Sequence, residues 1–250
     1  MSQDPIIAHM FEANKLWVDD LKGLQEKHSF CLPPPLPTPD QFPTGGQRPH
    51  TLWIGCGDSR VPETVVTGAV PGEIFVNRNV GNQVRFDDDS LMATLAFAVE
   101  ELVVRPGDPD IIVCGHTECG AVSAGFRAFE EGRVDPGRTP VTIPTQRADS
   151  PLNRFLAPLT TSIGNLITKL GISSAPGREA IPALIQENVR AQVDNLCETE
   201  VIQNAWATRP PGQELYVHGW EYDIRSGLIT SLVTRGPDSM ATPYFKKVVS

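Results

Sequence analysis

The sequence lacks any long run of apolar residues: no window approaches the roughly 18 consecutive apolar side chains that indicate a membrane-spanning helix. Arginine is absent before Arg48, and the acidic Asp4 and Glu12 stand near the start, which argues against a secretory or mitochondrial targeting segment. With 21 Lys and Arg against 30 Asp and Glu, the formal net charge is −9. These features predict a protein that neither spans a membrane nor binds nucleic acid.

Cysteine is scarce and odd in number, with five residues in a chain of 250. Such usage suits a reducing compartment with free or metal-bound thiols better than a disulfide framework, so we expect a cytoplasmic protein. No two cysteines form a C-x-x-C motif. Cys31, Cys114 and Cys197 are therefore expected to be buried or incidental.

Short apolar segments bounded by turn residues predict strands. They are TLWIGC from Thr51, EIFVNRN from Glu73, DIIVCGH from Asp110, and the pair ELYVHGWEYDI and LITSLV. The last two flank a turn at Arg225, Ser226 and Gly227, which predicts a hairpin of edge strands.

Segments with helical spacing of apolar residues alternate with these strands. They are residues 90–103, with Ser90 as a possible N-cap, residues 121–130 and residues 181–207. The alternation predicts an α/β fold, with a mostly parallel central sheet and flanking helices.

Two parts of the chain are predicted to differ in character. Residues 1–50 form an N-terminal helical arm, with an amphipathic helix region over 6–27 and a linker rich in Pro and Gly over 31–49. Residues 51–250 form one α/β domain, with an insertion that carries some helix near 131–177. The apolar stripe of the arm could cover the chain's own core or a neighbouring subunit.

Three soft metal ligands follow the ends of two predicted buried strands, where ligands gather in open α/β sheets. Cys56 ends the first strand, and His116 and Cys119 follow the other. Taken singly, each is more simply a buried core residue, but their shared position favours a metal site. Two thiolates and an imidazole suit Zn²⁺, and three protein ligands leave a fourth position for chemistry.

Asp58 and Arg60 stand two residues apart just after Cys56, so in an extended loop their side chains point the same way. The pair could simply stiffen the loop. Alternatively, Asp58 accepts a proton from a reacting water or fills the fourth zinc position, and Arg60 decides between these by gripping the carboxylate.

The run C-G-D-S-R from Cys56, followed at a distance by H-T-E-C-G from His116, resembles the paired signature of beta carbonic anhydrases. Three further segments resemble the same family: FVNRN from Phe75, ENVRAQVDNL from Glu187 and HGWEYD from His218. The resemblance covers roughly residues 45–130 and 180–235. The insertion and the Pro-rich arm are closer to fungal members.

The resemblance implies a lyase that reversibly hydrates carbon dioxide to bicarbonate and a proton, with one zinc per subunit held by Cys56, His116 and Cys119. It implies catalysis by Asp58 with Arg60, and Asp58 as a conditional fourth ligand. It also implies a homodimer or a dimer of dimers, a homotetramer, in which the N-terminal helices pack across the partner.

Further residues are expected to contact bicarbonate on the same ground. Gln47, nine residues before Cys56, matches a glutamine that binds bicarbonate in the family, and the backbone N–H of Gly120 is expected to steady the bicarbonate oxygens together with it. Trp53, Arg78 and Tyr222 match a second, inhibitory bicarbonate site found in one branch, although each residue could instead be structural.

Two alternatives stay open at this point. Asp58 could permanently close a structural zinc site with no activity, or the substrate could be an analogue of carbon dioxide such as carbon disulfide. Measured hydration of carbon dioxide would exclude a purely structural zinc site, and the shape of the pocket would decide between carbon dioxide and an analogue as the substrate.

Overall fold

A computed structural model describes residues 9–16, 47, 49–69, 71–102, 110–135, 137–169 and 178–238. The chain divides into two compact units, Met1–Gln47 and Arg48–Ser250. In the first unit, residues 9–16 are helical, as predicted within 6–27, and Met10, Phe11 and Leu16 are exposed. The rest of the predicted helix region and most of the Pro-rich tract lie outside the described residues.

The described part of the second unit contains a five-stranded sheet in the order β2-β1-β3-β4-β5. The strands are β1 (Thr51–Cys56), β2 (Ile74–Asn79), β3 (Asp110–His116), β4 (Tyr216–Tyr222) and β5 (Ile229–Arg235). The first four are parallel and β5 is antiparallel to β4. The predicted α/β fold with a mostly parallel sheet is confirmed.

Helices flank the sheet. They are α1 (Glu63–Thr67), α2 (Asp89–Ala96), α3 (Gly120–Glu130), α4 (Pro151–Lys169), α5 (Ile181–Cys197) and α6 (Glu200–Thr208). A π-helical segment, Phe97–Leu102, extends α2, and a 3₁₀ turn, Arg178–Ala180, precedes α5. None of the described helices is long and apolar enough to span a membrane. The cytoplasmic location stays a prediction.

The central strands β1 and β3 are buried because apolar side chains cover both faces of the sheet. Leu52 and Ile54 belong to the cluster that packs against α2, α5 and α6. Trp53 and Ile112 point to the opposite face, where Val66 of α1 packs against them. The alternation along each strand thus places two separate apolar clusters on the two sides of the sheet.

The predicted N-cap of the helix over 90–103 is wrong, because Asp88 caps it instead of Ser90. The Asp88 carboxylate accepts hydrogen bonds from the backbone N–H groups of Ser90 and Leu91, at 3.1 and 3.2 Å. A carboxylate at a helix N-terminus is favoured by the helix dipole as well as by these bonds. The helix therefore starts at Asp89, one residue before the predicted start.

The predicted single helix over 181–207 is two helices, α5 and α6. Thr199 separates them, since its hydroxyl donates to the Leu196 carbonyl at 2.7 Å and accepts from the Ile202 N–H at 3.4 Å. The same side chain thus ends one helix and caps the next.

The predicted hairpin is present, but only one of its strands lies at an edge of the sheet. β4 pairs with β3 on one side and with β5 on the other. The turn closes with a bond from the Gly227 N–H to the Asp223 carbonyl at 2.8 Å, and Gly227 has a φ of 73°, which favours glycine.

The segment near 131–177 contains α4, as its apolar stretch predicted. Leu156, Leu159 and Ile163 of this helix are buried in the same cluster as Cys56 and Cys119. The segment therefore supplies part of the apolar surroundings of two predicted ligands. Its status as an insertion stays a prediction.

Helix α5 packs closely on the sheet because glycine leaves room for it. A Cβ atom on Gly115 of β3 would lie 2.5 Å from the Cγ2 atom of Val189, and one on Gly219 of β4 would lie 3.0 Å from its Cγ1. Val189 itself is fully buried. The two glycines thus form the recess that receives the central valine of α5.

We expect Gly115→Ala to lower the free energy of unfolding by about 1–3 kcal/mol, because the added methyl group overpacks the contact with Val189. Denaturant unfolding at fixed protein concentration measures the change. In a Val189→Ala background, the same substitution should cost clearly less. An equal cost in both backgrounds would contradict this account of the packing.

Candidate active site

Three buried ligand groups meet at the carboxyl end of the sheet. Cys56 is the last residue of β1, His116 is the last residue of the adjacent parallel strand β3, and Cys119 is the N-cap of α3. One ligand atom from each lies within 4.8 Å of the others. The structure therefore brings together the three residues that the sequence predicted as ligands.

The His116 ring is oriented for metal binding. Its Nδ1 atom lies 2.9 Å from the Thr117 carbonyl, which can only accept, so Nδ1 carries the proton and Nε2 carries the lone pair. Nε2 is buried without a hydrogen-bond partner in the described protein. A buried polar atom of this kind requires an explanation, and a metal ion among the sulfur atoms provides one.

The surroundings shift the pKa values of the two cysteines in opposite directions. The neighbouring Cys119 thiol lowers the pKa of Cys56 to about 4, against the effect of burial, and His116 and the backbone N–H groups of Gly81 and Asp58 also lower it. The Cys56 thiolate in turn raises the pKa of Cys119, and burial adds to this. A divalent cation bound here would stabilise both thiolates and release their protons.

Asp58 and Arg60 form a two-pronged ion pair beside the cluster, as their spacing predicted. Asp58 Oδ1 accepts from the Arg60 backbone N–H at 2.9 Å and from Nε at 3.0 Å, and Oδ2 accepts from Nη2 at 2.8 Å. These bonds lower the pKa of Asp58. Since Oδ2 also lies 3.8 Å from His116 Nε2, an ionised carboxylate faces the cluster.

Arg78 holds the loop that connects Cys56 to Asp58. Its Nε donates to the Cys56 carbonyl at 2.9 Å, its Nη2 donates to the Asp58 carbonyl, and its Nη1 lies 3.7 Å from Glu63 Oε2. The acid partner of Arg78 thus belongs to the same chain.

A family model described as carbonic anhydrase matches residues 51–229, a segment that contains Cys56, Asp58, Arg60, His116 and Cys119. The chain belongs to the beta class of carbonic anhydrases. The predicted family is thereby confirmed.

Individual relatives agree with this identification and with the predicted fungal type. The carbonic anhydrase of Saccharomyces cerevisiae is 30% identical over 237 residues, which is 94% of this chain and 92% of the yeast protein. Among solved structures, the Coccomyxa beta-carbonic anhydrase in complex with acetazolamide has a TM-score of 0.68 and 32% identity, over 92% of this chain and 87% of that one. A tetrameric beta-carbonic anhydrase of Sordaria macrospora has a TM-score of 0.68 and 31% identity, over 93% of this chain and 100% of its own.

Sequence reasoning missed Glu118 of this carbonic anhydrase. Glu118 has a left-handed backbone with a φ of 61°, and its Oε2 lies 3.6 Å from Arg60 Nη1. Its Oε1 accepts from Arg225 Nε at 2.9 Å and from Nη2 at 2.6 Å. Arg60 therefore lies between two carboxylates, and only the position of Glu118 between two ligands hinted at this.

The Trp53 indole lies beside Gly55, the residue that precedes Cys56. Trp53 is fully buried, and its Nε1 lies 2.4 Å from where a Cβ atom on Gly55 would sit. Gly55 is the register partner of Arg78 across β1 and β2. Tyr222 packs against the same buried cluster as Trp53 and pairs with His116 in register.

The two residues expected to bind bicarbonate lie in different units. Gly120 is the first residue of α3, so its N–H has no acceptor within the helix, and there is open space where a Cβ atom would sit. Gln47 is exposed and belongs to the first unit. Its role stays a prediction.

Cys56→Ala, His116→Ala and Cys119→Ala should each abolish stoichiometric zinc binding, because a zinc site of this type needs all three protein ligands. Metal analysis of the purified variants measures this. Cys197→Ala is the matched control, since Cys197 is a buried thiol of α5 outside the cluster. Full zinc occupancy in any of the three ligand variants would refute the assignment.

Proposed function

We propose that Cys56, His116 and Cys119 hold the one zinc ion per subunit with which this enzyme reversibly hydrates carbon dioxide to bicarbonate and a proton. The observation that supports this most is the convergence of three candidate ligand atoms within 4.8 Å, one of them a buried nitrogen with no hydrogen-bond partner among the described residues. Bound zinc would supply a nucleophile at neutral pH by lowering the pKa of water.

Asp58 is proposed to orient the reacting water. Its pKa is lowered by the hydrogen bonds from Arg60, so the carboxylate stays ionised and can accept a hydrogen bond but cannot donate one. Arg60 holds both oxygens, which fixes the direction of the carboxylate toward the cluster. Arg60 is thus a positioning residue, and its contact with Glu118 restricts it further.

The surroundings of the cluster suit a small uncharged substrate. The sulfur atoms of Cys56 and Cys119 lie in an apolar cluster that includes Ala121 and Val122 of α3 and Leu156 of α4. Apolar surroundings of this kind strengthen electrostatic interactions within them. The Gly120 N–H and Gln47 are proposed to bind the oxygens of bicarbonate. Assays with carbon dioxide and carbon disulfide distinguish the two candidate substrates.

Asp58→Asn and Arg60→Ala should retain zinc while kcat for carbon dioxide hydration falls by about 100-fold or more, because they act on the reacting water and not on metal capture. Stopped-flow assays combined with metal analysis measure both quantities. Arg147→Ala is the matched control, since Arg147 forms the same kind of two-pronged pair with Asp149 at the surface. Unchanged turnover in Arg60→Ala would show that the pair only stiffens the loop.

A second, inhibitory bicarbonate is proposed to bind among Trp53, Arg78 and Tyr222. The supporting observation is that Trp53 Nε1 is a buried donor without an acceptor in the described protein. An anion that drew the Arg78 guanidinium toward it would release the carbonyls of Cys56 and Asp58. Binding would therefore favour a conformer in which Asp58 leaves Arg60, to the extent that bicarbonate prefers that conformer.

Initial hydration rates should fall more steeply with added bicarbonate than product binding at one site allows. In Trp53→Phe the rates should instead follow the dependence expected for product binding at one site, because the substitution removes the N–H donor and keeps an aromatic ring. Trp206→Phe is the control, since the Trp206 N–H already donates to the Leu215 carbonyl at 2.8 Å. Equal steepness in wild type and Trp53→Phe would refute the regulatory site.

The enzyme is proposed to act as a homodimer or a dimer of dimers. The Sordaria relative is described as tetrameric. Large apolar side chains are also exposed on both units, namely Met10, Phe11, Leu16, Phe86 and Phe97. Exposed groups of this size mark association surfaces in many proteins.

Sedimentation at micromolar concentration should therefore show a dimer or tetramer and no folded monomer. Replacing Phe11 and Leu16 with Ser should weaken the assembly, because the N-terminal helices are proposed to pack across the partner. A stable, folded wild-type monomer would refute the proposed assembly.

A further inference from the structure

The hairpin turn after β4 contacts the residue that follows His116. The Thr117 N–H donates to the Tyr222 carbonyl at 3.0 Å, which continues the pairing of β3 with β4 by one residue. The Thr117 hydroxyl donates to Asp223 Oδ1 at 3.1 Å and accepts from the Ile224 N–H at 3.0 Å. The turn therefore holds Thr117 by its backbone and by its side chain.

The carbonyl of the same residue fixes the imidazole of His116. It accepts a hydrogen bond from Nδ1 at 2.9 Å, which leaves the lone pair on the buried Nε2. An acceptor on the second nitrogen of a ligating imidazole sets the orientation and the basicity of the ring. A rotation of the Thr117 carbonyl would therefore release the ring.

The peptide unit that carries this carbonyl ends at a left-handed residue. Glu118 has a φ of 61°, and residues other than glycine keep such a φ only where their surroundings hold them. A return of Glu118 to a negative φ would turn this peptide over and carry the Thr117 carbonyl away from His116.

The turn opposes this rotation on both sides of the peptide. On one side, Asp223 accepts from the Thr117 hydroxyl. On the other side, Arg225 donates to the Glu118 carboxylate. The Arg225 side chain is 81% exposed, so its ion pair contributes little. The bond to the half-buried Asp223 is thus the firmer restraint.

Asp223 also organises the turn itself. Its Oδ1 accepts from the Arg225 N–H at 3.0 Å, and its Oδ2 accepts from the Ser226 hydroxyl at 2.9 Å. Its N–H donates to the Leu228 carbonyl at 2.8 Å. The carboxylate that binds Thr117 is therefore held in place by the hairpin.

We propose that Asp223 is a positioning residue of the metal site: by accepting from the Thr117 hydroxyl, it keeps the Thr117 carbonyl directed at His116 Nδ1. Groups that hold the ligands of a metal in this way affect its affinity nearly as strongly as the ligands do. The inference rests on the proposed assignment of His116 as a zinc ligand.

Thr117→Val removes the hydroxyl and its two hydrogen bonds to the turn, while the carbonyl stays. We expect the His116 Nδ1–H proton of the zinc-loaded variant to exchange with water about 10-fold faster, and the Kd for zinc to rise about 10-fold. Asp223→Ala should have the same effects. Thr117→Ser keeps the hydroxyl and should restore both values.

NMR of protein labelled with ¹⁵N-histidine measures the exchange, and competition with a chelator measures the Kd. The His116 ring is identified in wild-type protein loaded with ¹¹³Cd, by the scalar coupling between cadmium and its Nε2 atom. Neither measurement depends on activity.

Ser226→Ala is the matched control. It also removes a hydroxyl that makes two hydrogen bonds in the same turn, one to Asp223 and one from the Leu228 N–H. This variant should keep the wild-type exchange rate and zinc affinity. Equal changes in Thr117→Val and Ser226→Ala would show a merely structural role of the turn and overturn the inference.

A wild-type protein in which no histidine nitrogen couples to ¹¹³Cd would overturn the proposed ligand assignment, and the inference with it. A coupled ring whose N–H exchanges at the wild-type rate in Thr117→Val or in Asp223→Ala would overturn the inference alone. Should Thr117→Val fail to fold, Asp223→Ala decides, since it removes the acceptor and leaves Thr117 intact.

Discussion

The parallel pairing of β1 with β3 is the constraint on which the site depends. The register sets Gly55 beside Cys114, so Cys56 ends β1 level with Gly115, and His116 ends β3 one residue further along the same edge. Apolar clusters cover both faces of this pair of strands, and Cys56 and Cys119 lie in a third apolar cluster. Burial at this point would be costly for thiolates alone, so the surrounding loops supply N–H groups and cations.

The ion pair of Asp58 with Arg60 differs from similar pairs in the chain by its position and not by its strength. Arg85 with Asp87 and Arg147 with Asp149 form two-pronged pairs of the same spacing as Arg60 with Asp58. Exposed pairs of this kind contribute little to stability. The Asp58 pair differs from them because its carboxylate lies 3.8 Å from the buried Nε2 atom of His116. An ion pair of the same geometry at the surface would contribute little.

The sheet and the convergence of Cys56, His116 and Cys119 could be predicted from the sequence, because buried strands are apolar runs and these three residues stand at or just after the ends of two of them. The predicted helix boundaries were wrong where a neighbouring polar side chain caps the helix. Asp88 caps α2 in place of Ser90, and Thr199 separates α5 from α6 although the apolar spacing continues across it. The ion pairs of Glu118 could not be predicted, since its partner Arg225 is 107 residues away in the sequence and Glu118 itself has a left-handed backbone.

Arg78 connects β2 to the loop Cys56–Asp58 by hydrogen bonds. β2 is an edge strand of the described sheet, while the guanidinium of Arg78 grips backbone carbonyls on both sides of Gly57. A displacement of β2 along its axis would therefore be transmitted to the loop Cys56–Asp58 by this side chain as well as by the pairing of β1 with β2, which ends with a bond from the Gly57 N–H to the Asn79 carbonyl at 2.8 Å.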